Sequence, residues 1–187
     1  ASLREISGSG NVRVTRQRYY VYPQAEHNLY RPQDKVRVDF KALDANEQPA
    51  QVEGKVTVTR DYWYEIWLAP DGREVKGDGL KVLQAKHKVW PPLPERPDQK
   101  NWRLKFRGYE HDEILKQNLK TDAEGVAALT FTPEREGYYR FAWLSEDTVP
   151  NRPPQPIRAE TTVWVANNAT SELGYRHGGV EIIVDRD

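Results

Sequence analysis

The chain has 187 residues, with 28 basic and 28 acidic side chains and neither cysteine nor methionine. That balance removes the basic excess on which a nucleic-acid surface depends, and no apolar run approaches the ~18 residues of a membrane-spanning helix. Without cysteine there is no disulfide, thiolate metal site or cysteine nucleophile. Without an initiating methionine the sequence reads as a piece excised from a longer chain.

Residues 1–10 form a polar start ending in Ser7-Gly-Ser-Gly10. A stretch over 12–22, its apolar residues interrupted by charge, follows and carries Tyr19, Tyr20 and Tyr22. Next comes Tyr30-Arg-Pro-Gln-Asp34-Lys-Val-Arg-Val-Asp-Phe40, a polar turn that launches strict alternation, with Val36, Val38 and Phe40 set against Arg37, Asp39 and Lys41. Side chains on a strand point alternately to opposite faces, so this pattern buries one face and wets the other. The Asp44-Ala-Asn46-Glu47 stretch lacks the glycine and distal glutamate of a calcium loop and reads as a polar turn. Val56 and Val58 then resume the alternation.

Asp61-Tyr-Trp-Tyr-Glu-Ile-Trp67 places Trp63 and Trp67 on one strand face and Tyr62, Tyr64 and Ile66 on the other. Asp71-Gly72 and Gly77-Asp-Gly79 predict a charged loop that closes a long hairpin between residues 63–68 and 80–89. Trp90-Pro-Pro-Leu-Pro-Glu-Arg-Pro97, with four prolines in eight residues, predicts a stiff extended connection outside any sheet. Trp102, Leu104 and Phe106 alternate with Arg103, Lys105 and Arg107. Residues 112–120 read equally as a poorly spaced helix or as a further strand.

Thr121-Asp-Ala-Glu-Gly125-Val-Ala-Ala-Leu-Thr-Phe131 is a second turn-and-strand unit, followed by Glu136-Gly-Tyr-Tyr-Arg-Phe-Ala-Trp143. A second proline-rich stretch, Arg152-Pro-Pro-Gln-Pro156, precedes a last alternation over 161–165. After the polar residues 167–171 comes Gly178-Gly-Val-Glu-Ile-Ile-Val-Asp185, a fresh strand with no partner remaining in the sequence. The fold expected is all-β, an antiparallel β-sandwich of about seven core strands with an inserted hairpin. Parallel sheets, buried on both sides, do not produce this alternation.

Chemistry is sparse. Tyr109-Glu-His-Asp-Glu113 is the one dense titratable cluster, yet Glu110 and Asp112 face away from His111 on a strand and no second histidine lies at ligand spacing. A solvated loop or edge strand is the preferred reading. Ser145 and Ser171 have no supporting histidine nearby, no glycine-rich phosphate loop occurs, and nothing calls for a cofactor or metal. The aromatic stock at Trp63, Trp67, Tyr19 and Tyr20 is the candidate interaction surface. Its plainer reading is buried area within the sheet or against a neighbouring domain. Asn168-Ala-Thr170 is a glycosylation sequon, relevant only in a eukaryotic secretory host.

The two turn-and-strand units carry a resemblance. Tyr30-Arg-Pro-Gln-Asp34-Lys-Val resembles the Tyr-x-Pro-Gly-Asp-x-Val that opens the second strand of macroglobulin domains, with Gln33 in place of the usual glycine. Thr121-Asp-Ala-Glu-Gly125 is similar to their Thr-Asp-x-x-Gly strand, Glu136-Gly-Tyr-Tyr139 to the Gly-x-Tyr strand after it, and residues 162–165 to the last. Residues 179–185 resemble the start of the next such domain. Order and charge-rich style look most like bacterial alpha-2-macroglobulin-like proteins.

The resemblance implies a large exported protein, periplasmic or extracellular, that traps endopeptidases. This piece would be a non-catalytic scaffold domain within it. Residues 1–10 would be a tail, 11–167 the sandwich with an insertion over about 61–120, and 168–187 a linker plus the first strand of a following domain. The implied partners are neighbouring macroglobulin domains of the same chain and the proteases engaged by the whole protein. The family's Cys-Gly-Glu-Gln thioester is absent from these residues. The alternative from another class is a glycan-binding or adhesin module of a cell-surface protein that uses the Trp63 and Trp67 face.

Overall fold

The computed structural model describes residues 15–148, apart from 95, 97 and 99, together with residues 153–166. The polar tail 1–10, the sequon, and the predicted linker and strand over 168–187 lie outside the described residues. Among the described residues, nine strands and one helix follow in chain order: β1 Tyr19–Ala25, β2 Leu29–Tyr30, β3 Val36–Asp44, β4 Glu53–Leu68, β5 Glu74–Lys76, α1 Gly77–Lys86, β6 Arg103–Lys120, β7 Val126–Phe131, β8 Gly137–Asp147 and β9 Gln155–Val165. They make two facing sheets, one in the order β1-β3-β7 and one in the order β2-β9-β8-β4-β5, with β6 on the other edge of β4. All pairings are antiparallel except that of β2 with β9.

The alternating residues supply the core. Val36, Val38, Phe40 and Ala42 from the three-stranded sheet meet Val56, Val58, Phe141, Trp143 and Val163 from the larger one, and each is at most 1% exposed. Phe40 and Trp143 join the sheets with ring centroids 5.5 Å apart. Full burial of each of the valine and phenylalanine side chains contributes roughly 1.5–3 kcal/mol. Gly54 is required by the same packing, because a Cβ at that position would overlap the indole of Trp143.

Both turn motifs have a physical basis. At Arg31-Pro-Gln-Asp34 the Asp34 amide donates to the Arg31 carbonyl at 3.1 Å, and the Asp34 carboxylate accepts from the Arg31 amide at 2.7 Å. Gln33 sits at φ 75°, the third position of a type II turn, where glycine costs least. In the second motif Asp122 accepts from the Gly125 amide at 3.1 Å through its carbonyl and from the Val126 amide at 2.8 Å through its carboxylate. Gly125 has φ 73°, and a Cβ there would lie 2.5 Å from the Ala42 carbonyl oxygen. The Asp44 turn is likewise a polar turn, its carboxylate accepting from the amides of Asn46 and Gln48 at 2.8 and 2.9 Å.

The inserted region departs from the expected hairpin. Strand β4 turns back into β5, which is only three residues long, and residues 80–86 are helical, part of α1. The polar spacing around Leu80 leaves that residue as the only buried one in the helix. The long partner of β4 is β6, which takes in both the Trp102-to-Arg107 alternation and residues 112–120, so the latter are strand and not helix. The apolar face expected at Leu104 and Phe106 is not buried, and these residues are 42% and 39% exposed. They lie where β4 and β6 run on past the end of the β8 ladder at Asp61.

Candidate interaction surface

The arm begins where β4 leaves the sandwich. Asp61 is 1% exposed, and its carboxylate accepts from Arg140 at 2.9 Å and lies 2.6 Å from Nδ1 of His111. Sequence reasoning left only Tyr109 and Glu113 on the His111 side of its strand, and the acidic partner observed is Asp61, from across the ladder. The preceding residue, Arg60, points to the other face. It donates to the Glu136 carbonyl at 2.8 Å and to Asp112 at 3.2 Å, and stacks over the Tyr62 ring at 4.3 Å. These contacts satisfy buried charge at the point where the core ends.

Farther out, Trp63, Glu65 and Trp67 share one face. Both indoles donate to the Glu65 carboxylate, at 2.9 Å from Trp63 and 2.7 Å from Trp67, and Arg107 donates to it at 2.9 Å. Burial raises the pKa of Glu65, but these hydrogen bonds and the Arg107 charge outweigh it, holding the carboxyl below its ordinary range. Trp63 stands edge-on to Tyr109, centroids 5.1 Å apart. Trp67 packs against Trp90 at 5.6 Å, and Trp90 against Trp102 at 5.0 Å. The proline-rich connection is therefore pinned to the arm through Trp90, whose buried indole N–H has no hydrogen-bond partner among the described residues.

The four aromatic residues singled out from the sequence do not form one surface. Trp63 and Trp67 come together through Glu65. Trp67 is only 6% exposed, because Trp90 covers it. Tyr19 belongs to the core at 7% exposure, with its hydroxyl donating to Ser145 at 2.9 Å. Tyr20 is half-buried on β1, in the other sheet.

A groove of about 830 Å³ lies between the arm, α1 and the start of β8. Residues 60–65 of β4 all line it. Successive side chains of a strand point to opposite faces, so a groove touched by six consecutive residues runs along the strand's edge. The pairing register agrees: on this edge β8 pairs with β4 as far as Asp61 and β5 begins at Ile66. The far wall is α1, tied down by Lys81 to Glu136 at 2.6 Å and by buried Leu80. The end wall includes Val165 and Ala166, whose position is fixed by the Ala166 amide donating to the Tyr30 carbonyl at 2.9 Å. Sequence reasoning could not find this groove, because it depends on where two separate strands stop.

Among the described residues no three histidine, aspartate or glutamate side chains converge as a metal site. No helix among them is long and apolar enough to cross a membrane. No protein-family model matches the chain, and no curated protein matches it either.

Proposed function

We propose that the chain is a non-catalytic structural and interaction module of a large exported alpha-2-macroglobulin-like protein that traps endopeptidases. The observation that carries this reading is the conformation of the two turn motifs. Gln33 takes up a positive φ at the position where the macroglobulin pattern has glycine, and Gly125 does so in the second motif. A positive φ at both positions, where glycine costs least, supports the resemblance even though Gln33 stands in place of glycine. The mechanism is mechanical: the sandwich provides a stiff body, and the arm and groove hold neighbouring parts of the protein until cleavage elsewhere releases them.

The test uses the full-length natural protein. After incubation with an endopeptidase, a trap leaves cleavage of a small chromogenic peptide intact while cleavage of a large protein substrate falls. Equal cleavage of both substrates, with and without the protein, overturns the reading. The glycan-binding alternative has less support, since Trp67 is covered by Trp90 and Trp63 is engaged edge-on by Tyr109. A silent glycan array for the full chain removes it.

A further inference from the structure

The connection from α1 to β6 is fastened at both ends. Trp90 packs against Trp67 and against Trp102, with ring centroids 5.6 and 5.0 Å away, so residues 90 and 102 are drawn together on the arm. Just inside that clasp lies Pro91-Pro-Leu-Pro94, which joins neither sheet nor helix. The three prolines have φ fixed by their rings, and Pro91 and Leu93, each followed by proline, are confined to extended backbone. Those restrictions select a polyproline II turn, with three residues per turn and its backbone groups open to water.

The turn faces outward. Pro91 and Pro92 are half-buried, whereas Leu93 is 87% exposed and Pro94 is exposed beside it. A stiff spacer requires the prolines; it does not require a leucine held out to water between them. The surrounding charge is also uneven. The chain is neutral overall, yet residues 86–100 hold four basic side chains against two acidic ones. Lys86, Lys88, Arg96 and Lys100 are all exposed. A rigid apolar turn in a basic setting suits a partner that is aromatic and acidic.

We propose that Pro91-Pro-Leu-Pro94, with Arg96 beyond it, is a ligand displayed to a partner protein whose surface carries an aromatic-lined groove flanked by carboxylates. Leu93 and Pro94 fill the slots between the rings of that groove. The turn is already formed and is anchored by Trp90, so little chain entropy is lost on docking. Arg96 meets the carboxylates and sets the direction in which the segment lies. This inference stands on the connection alone, so it and the protease-trap reading can fail separately.

Calorimetric titration of the 187-residue chain against a panel of recombinant SH3 domains, whose grooves have this chemistry, tests it. Saturable binding is expected, at least about threefold tighter than for a free peptide of residues 88–100, because the chain presents the turn preformed. Leu93→Ala and Pro94→Ala each weaken binding about tenfold or more. Arg96→Glu weakens it similarly and flattens its salt dependence. All three positions are exposed, so an unchanged circular dichroism spectrum separates lost contacts from lost fold. Absence of binding to every domain overturns the proposal. Binding by the peptide alone does so too, since the fold would then be hiding the segment. Binding that survives Pro94→Ala also overturns it, as does self-association abolished by that substitution, because a second copy would then be the partner.

Discussion

Asp61 is a negative charge placed at the boundary between core and arm, and its worth depends on Arg140 and His111 together. Removing one partner of a buried pair usually costs about 3–5 kcal/mol because the other charge is left uncompensated. Arg140 keeps 38% of its side chain exposed, and His111 remains as a second partner, so Arg140→Ala is expected to cost about 2–3 kcal/mol. Urea unfolding of the two proteins checks this. Glu65 is a pH-sensitive group at the centre of the arm. A carboxyl held below its ordinary range stabilises the fold above the unfolded value of about 4.3, and that stabilisation is lost as pH falls through the lower folded value. The Glu65→Gln variant should therefore be less stable than the unaltered chain at pH 7 and close to it near pH 3. A constant gap across that range would show that the carboxylate charge is irrelevant. Tyr139 behaves oppositely: burial leads the rise in its pKa, so its neutral form is favoured in the fold and the benefit is lost only under strongly alkaline conditions.

The turns and strands are where sequence was most readable. Val36, Val38 and Phe40, and again Tyr139, Phe141 and Trp143, face one core, as period-2 alternation demands. Position 33 gives the sharpest element-level prediction. A non-glycine residue at φ 75° carries strain that glycine relieves, although glycine also gains freedom in the unfolded chain. Gln33→Gly is expected to be neutral or to raise stability by up to about 1 kcal/mol, measured as a shift in urea midpoint. A loss beyond about 1 kcal/mol would mean that the Gln33 side chain does something the turn geometry does not reveal. The alternation at Leu104 and Phe106 misled for a definite reason. Period-2 patterning reports which residues share a face, but the presence of a second sheet over that face is a tertiary fact. The Leu80 region misled similarly: a glycine-flanked, charged stretch with no clear period gave no helical signal, and one buried leucine with the Lys81-to-Glu136 ion pair holds the helix in place. The His111-to-Asp61 contact was invisible because its two members are fifty residues apart in sequence.

At the scale of the molecule, the ladder between β4 and β6 crosses the connection that contains α1 and the prolines. Lys86 and Lys88 lie exposed in that connection, and exposed connections are where proteases nick first. Limited trypsin treatment is expected to cut there while the two pieces remain associated, since β4 in one piece pairs with β6 and β8 in the other. Co-elution on gel filtration with two bands after denaturation is the expected result. Separation of the pieces under native conditions would contradict the pairing.

Strand β4 is a single continuous run of sixteen residues, with its first half between β6 and β8 and its second half carrying the arm. At ~3.3 Å per residue it is about 50 Å long. A pull on the arm along that direction would load the hydrogen bonds of the inner half in shear, all at once and not one by one as in unzipping. The strand is thus built as a tie rod. It can carry tension from whatever the arm grips into the centre of the larger sheet without any hinge on the way.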